Sequence, residues 1–194
     1  MIYSAYSKGA NFNTLEEQRI KSMELLSYGL EEEFHVQKTD LYLDYSPLGK
    51  PSFRDYKEIN MNIAHCRHGV TVVLSRDCVG IDIEQIKPYN VYAAKKTLDE
   101  NERKRVEASV DPSKEFFRYW TLKESYIKAI GMGLSYPMKS IHIILEEEGQ
   151  VSSNQKDAIF SLYENDLGFI VATCRLLDSS AKASRLWEYG FVLP

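Results

Sequence analysis

Two short stretches constrain this chain more than anything else in it: Gly80-Ile81-Asp82-Ile83-Glu84 and, about forty residues later, Trp120-Thr121-Leu122-Lys123-Glu124-Ser125. On a strand, period-2 geometry sends Asp82 and Glu84 to one face and Val79, Ile81 and Ile83 to the other. Two acids side by side on an otherwise apolar strand repel each other, and each loses hydration. A hard divalent cation removes both costs. Magnesium takes a few carboxylates, keeps several waters and leaves positions for phosphate oxygens, so two acids from a strand and Glu124 from a helix suit an open site. The same residues also read as solvated acids, or as an exposed i,i+4 pair of Glu124 with Lys128 worth about 0.3–0.5 kcal/mol.

The 194 residues are 44% hydrophobic and 27% charged, with no apolar run long enough to span a bilayer. That length suits one domain, or two small lobes sharing a core. Cys66, Cys78 and Cys174 are scattered and odd in number, which argues for free thiols in a reducing cytoplasm. Met1-Ile2-Tyr3-Ser4 leads into polar residues instead of the apolar block of a signal peptide, so a cytoplasmic protein is expected. A formal net charge of −4 gives no footing for nucleic-acid binding. A phosphate-rich ligand must then meet a local cluster of lysine, arginine and histidine.

Thr14 with Glu17 forms a capping-box pattern, followed by Ile20, Met23, Leu26 and Leu30 at helical spacing, so a helix is expected over about 14–33 with Gly29 a blemish inside it. Residues 45–51 hold two prolines and a glycine and read as a loop. Residues 70–75 and 78–84 read as strands joined by a tight turn at Arg76-Asp77. A helical region over 91–108 breaks near Asp99. Asp111-Pro112 then caps a helix that runs to Ile130, with Gly131 at its end. Strands are expected over 141–145, 158–163 and 169–176, with a turn at 146–149. Each half thus offers a helix and several strands, and no flexible linker divides them. The expected architecture is α+β, two similar lobes over 1–87 and 88–194 in one rigid unit.

Other residues carry chemistry less specifically. Lys123 and Lys128 are placed to offset charge on a transferring phosphoryl group, although exposed helix lysines are commoner. His65 and His68 stand three apart in Asn62-Ile63-Ala64-His65-Cys66-Arg67-His68; without a second ligand pair zinc is weakly supported. Donation from His65 or Arg67 to phosphate, with Lys50 nearby, is better motivated, and a hydrogen-bonded core histidine is the plain alternative. Glu102 is a candidate general base, yet Asp99-Glu100-Asn101-Glu102 reads more strongly as a capping box. Lys95, Lys96, Arg103, Lys104 and Arg105 form a basic run that is a solvated face or a surface for an acidic partner.

Taken together, these segments resemble the phosphopantetheinyl transferases of the monomeric type that activates peptide synthetases. The resemblance rests on Gly49-Lys50-Pro51, on Asn62-Ile63-Ala64-His65-Cys66, on Val79 through Glu84, on Phe116 through Ala129, and on Gly131-Met132-Gly133-Leu134. It implies a magnesium-dependent (or manganese-dependent) enzyme that moves 4′-phosphopantetheine from coenzyme A onto a serine of an apo acyl or peptidyl carrier protein, an acidic partner, and releases adenosine 3′,5′-bisphosphate. It further implies a pseudo-dimer of two α+β lobes with the site between them. Asp82, Glu84 and Glu124 would hold the metal, while Lys50, His65, Lys123 and Lys128 would contact coenzyme A. Glu124, Lys128 and Glu102 would carry catalysis.

Ala64 and Cys66 depart from the pattern, standing where the family commonly shows serines, so a hydroxyl donor is missing there. Arg19 and Lys21 are the candidates for the adenosine end. Two other classes stay open: a non-catalytic module that binds carrier proteins, and a metal-dependent phosphohydrolase that uses water in place of serine.

Overall fold

The computed structural model describes residues 1–7, 12–36, 41–146 and 149–177. Thr14 accepts from the Glu17 amide while the Glu17 carboxylate accepts from the Thr14 amide, and this capping box opens α1, Leu15–Phe34. Gly29 is no blemish. A Cβ there would stand 2.5 Å from Leu74 Cδ1 and 2.6 Å from the Tyr3 ring, so glycine lets the helix lie close on the sheet beneath it.

That first sheet is antiparallel in the order β1-β5-β4, from β1 (Ile2–Tyr6), β4 (Asn60–Cys66) and β5 (Gly69–Ser75); β2 (Leu43–Tyr45) and β3 (Pro51–Phe53) pair beside it. The second sheet runs β6-β10-β9, from β6 (Val79–Gln85), β9 (Ala158–Glu164) and β10 (Phe169–Leu176), with β7 (Ile143–Leu145) and β8 (Val151–Ser153) paired apart. In both lobes the opening strand lies next to the last. The helix follows the opening strand, and a short two-stranded ribbon precedes the closing pair. Two similar α+β lobes are therefore present, as the helix-plus-strands count in each half anticipates.

The chain leaves the first sheet at Ser75 and enters the second at Val79, ahead of the division at residue 87, because β6 takes its backbone partners from β10. The tight turn at Arg76-Asp77 thus joins two lobes and not two strands of one hairpin. Between β6 and β7 come α2 (Val91–Thr97), α3 (Glu100–Ala108) and α4 (Pro112–Ile130). Asp111 caps α4 by accepting from the Lys114 amide, and Gly131 ends it at φ 72°. The turn expected at 146–149 falls partly on residues 147 and 148, outside the described residues.

One apolar cluster fills each lobe, around Leu26, Leu30 and Phe53 in the first and around Tyr119, Leu122 and Ile170 in the second. A third joins them: Ala64 and Val73 from the first sheet meet Val79, Ile81, Ile83, Phe169 and Val171 from the second. This shared core fixes the lobes on one another and sets β4 alongside β6.

Candidate active site

Gly80 brings the acids to the helix. A Cβ on it would lie 2.1 Å from the Ser125 carbonyl oxygen and 2.3 Å from the Ala129 amide nitrogen, both backbone atoms, so α4 crosses β6 at a distance that only glycine permits. The alternation of β6 does the rest. Val79, Ile81 and Ile83 enter the shared core, and Gly80, Asp82 and Glu84 share the opposite face. On α4, Glu124 and Lys128 lie one turn apart. Lys128 does not pair with Glu124, as their spacing invites; its Nζ donates to Asp82 Oδ1 at 2.6 Å.

The three acids stand in one another's field. Burial, then the charges of Asp82 and Glu84, push Glu124 up to about 7 against the pull of Lys128. Burial raises Asp82 even beside Lys128, and burial with Asp82 raises Glu84, whose carboxylate also meets Lys87 at 3.4 Å. Asp82 Oδ2 and Glu124 Oε1 are buried without a hydrogen-bond partner. Among the described residues no three His, Cys, Asp or Glu side chains are gathered closely enough to hold a metal ion as they stand. Lysines hold both strand acids instead. In kind the donors fit a hard divalent cation: oxygen ligands, two of them buried and unsatisfied, and charges whose repulsion such an ion cancels.

Glu124 and Lys128 line a groove of about 360 Å³ with Lys50, Asn62 and Gly131. A neighbouring cavity of about 360 Å³ is lined by Arg19, Tyr42, Ile63 and His65, and Ile63 is common to both. His65 projects from β4 into this cavity, where partial loss of hydration and then the charge of Lys128 hold its pKa below the usual value. Lys50 donates from Nζ to the Ala129 carbonyl at 2.6 Å, across the lobes, and its burial lowers its pKa. Arg19 therefore stands beside His65, whereas Lys21 is paired with Glu24 on the outside of α1.

Two assignments are corrected. Lys123 is fully buried, and its Nζ donates to Glu102 Oε2 at 2.5 Å and to the Thr97 carbonyl at 2.9 Å, so it does not reach coenzyme A. Glu102 is likewise interior. Oε2 also accepts from the Asp99 amide at 2.8 Å and Oε1 from the Ile143 amide at 2.9 Å, and at 2% exposure the carboxylate is out of a substrate's reach. The capping-box reading of Asp99 and Glu102 is the one realised. The missing hydroxyl has a simple place too. Ala64 is buried among the apolar side chains of the shared core, so a methyl group suits it. Sequence reasoning missed Asn62 and Lys87. Asn62 was visible as a lone amide in an apolar stretch.

A family model described as "4'-phosphopantetheinyl transferase superfamily" matches residues 78–174, half of the chain. The chain is 30% identical over 151 residues to 4'-phosphopantetheinyl transferase ffp of Bacillus subtilis, covering 75% of this chain and 67% of that one. It is 31% identical over 148 residues to 4'-phosphopantetheinyl transferase Sfp of Bacillus subtilis (strain 168), covering 73% and 66%.

The chain belongs to the 4′-phosphopantetheinyl transferase superfamily.

A third similar protein of that family, 4'-phosphopantetheinyl transferase gsp of Aneurinibacillus migulanus, is 36% identical over 142 residues, covering 70% of this chain and 59% of its own. The matched region thus spans 59–67% of the length of these relatives. The family match opens just ahead of β6 and closes inside β10, so it takes in the strand with both acids, the helix with Glu124 and Lys128, and the sheet that carries them.

Proposed function

We propose that this member of the transferase family moves the 4′-phosphopantetheine arm of coenzyme A onto a serine of an apo acyl or peptidyl carrier protein and releases adenosine 3′,5′-bisphosphate. The observation that carries this reading is the meeting of Asp82, Glu124 and Lys128 where α4 crosses β6, with buried, unpartnered oxygens on both acids. Asp82, Glu84 and Glu124 would hold a magnesium or manganese ion, which when bound neutralises diphosphate charge and orients it.

The chain's own residues supply the rest. Lys128 Nζ, a compact ammonium at the groove, binds phosphate oxygens and offsets the charge that develops on the departing side. His65 and Lys50 donate to the same phosphates from the first lobe, and Arg19 lies on the way to the adenosine end. Glu124 takes the serine proton on a carboxylate oxygen, directly or through a water. The basic run on α2 and α3, with Lys95, Lys96, Lys104 and Arg105 exposed and Arg103 half-buried, suits an acidic carrier. We place the enzyme in the cytoplasm as a monomer, in keeping with three free cysteines. No helix among the described residues is long and apolar enough to cross a membrane.

Incubation of the full chain with apo carrier protein, coenzyme A and magnesium, followed by intact-mass measurement of the carrier, tests the reading. A mass gain on the carrier serine is the expected result. Cleavage of coenzyme A with an unmodified carrier would make it a phosphohydrolase, and binding of carrier without either change would make it a non-catalytic module.

A further inference from the structure

The two sheets present their outer strands to each other, β4 from the first and β6 from the second, yet no ladder joins them. An outer strand carries amides turned away from its own sheet that need partners once buried. At the middle of this seam Asn62 Oδ1 accepts from the Ile81 amide at 3.0 Å. Asn62 is 4% exposed, and Met61 and Ala64 on the same strand are buried with it. The amide is accounted for by the one hydrogen bond it makes, since a buried amide without a partner is unfavourable.

The position of that bond matters. Ile81 immediately precedes Asp82, and Asn62 lies three residues before His65, which lines the neighbouring cavity. Asn62 also lines the groove that holds Glu124 and Lys128. One side chain therefore ties the strand that presents the acids to the strand that presents the phosphate-binding histidine. The register between them is fixed across a seam that has no ladder to fix it.

We propose that Asn62 is a positioning residue of the transfer reaction: its amide locks β4 to β6 and so sets Asp82 and Glu124 against the ligand held by His65 and Lys50. The inference rests on the transferase reading above, and its structural half stands apart from it. Displacement of reacting groups by about 1 Å costs on the order of 10²-fold in rate, whereas ligand contacts made within one lobe survive a loosened seam.

The test uses the full chain and two readouts. In Asn62→Ala, hydrogen exchange at the Ile81 amide is expected to speed up by at least about tenfold, as the lost partner opens it to water. In the same variant kcat should fall by at least about tenfold with KM for coenzyme A within about threefold. Leu26→Ala, a core truncation remote from the site, serves as a control at matched loss of melting temperature and should keep kcat within about twofold. Should Asn62→Ala fail to fold, Asn62→Ser draws the acceptor back from Ile81 with less disruption and must show both effects. Unchanged exchange at Ile81, unchanged kcat, or an equal loss in the Leu26→Ala control would each overturn the proposal. A wild-type chain that modifies no carrier would instead sink the transferase reading, leaving the exchange measurement to decide the clamp.

Discussion

Lys128 Nζ and Asp82 Oδ1 stand 2.6 Å apart, a pair formed between α4 and β6 where a one-turn pair within α4 was equally available. The choice follows from burial. Asp82 is buried at 6% exposure, and the Lys128 ammonium offsets part of the desolvation that raises its pKa. Replacing Asp82 by asparagine keeps the volume and removes the charge. The expected outcome is a loss of transfer by about a hundredfold or more, with little change in fold because Lys128 is partly exposed and can turn to water. Turnover in the mass-shift assay, beside the far-ultraviolet dichroism of the variant, checks this; near-normal turnover would remove Asp82 from the site.

The raised pKa of Glu124 gives stability a definite slope with pH. Below the ordinary carboxylate value both folded and unfolded chains hold the proton, and the group is indifferent. Between that value and about 7 the folded state keeps a proton that the unfolded state has released, so raising the pH favours unfolding; above about 7 the loss is complete. Burial shifts Asp82 and Glu84 in the same direction. In a chelator, the melting temperature should therefore fall as pH rises from about 5 to about 8, and it should fall less in Glu124→Gln. Parallel slopes for the two proteins would show that Glu124 titrates normally.

Much of this site was legible in the sequence because its parts are local. The face shared by Asp82 and Glu84 follows from strand alternation, and the caps of α1 and α4 follow from Thr14, Glu17, Asp111 and Gly131. What escaped was set by distant contacts. Lys123 looks like any helix lysine beside a candidate site acid; only α3, docked through Val106 and Glu102, shows that it points inward. The strands β2 and β3 are three residues each, too short for a period, and β4 carries Asn62 at a buried position where a strand pattern expects an apolar residue. The role of Gly29 depends on Tyr3 and Leu74, neither of which lies near it in sequence.

Gly80 carries the heaviest steric constraint near the site. A methyl group there would collide with backbone atoms of Ser125 and Ala129, which have no rotamer to change, so α4 must lift from β6. Gly80→Ala should lose at least about 3 kcal/mol in urea unfolding, beyond the usual range for a single methyl. In whatever folded fraction remains, transfer should fall as well, since the same lift separates Lys128 from Asp82. An alanine variant of wild-type stability would mean that helix and strand are farther apart than described.

The buried pair of Lys123 and Glu102 separates structure from chemistry. Glu102 caps α3 through the Asp99 amide, ties β7 through the Ile143 amide and neutralises Lys123, which also bonds the Thr97 carbonyl. Removing either partner leaves the other charge buried and uncompensated, a change that typically costs about 3–5 kcal/mol. Glu102→Ala and Lys123→Met should each show such a loss in urea unfolding, while the double variant should lose less than the two combined, because the second change removes the charge that the first left stranded. Lys123→Met decides the chemistry. If Glu102 were the proton acceptor, freeing it from the lysine would leave an acid available and the rate per folded molecule would hold or rise, whereas Glu102→Ala would be inactive though folded. The structure predicts instead that both variants lose stability alike and that activity follows the folded fraction, read by titrating transfer against stabilising osmolyte.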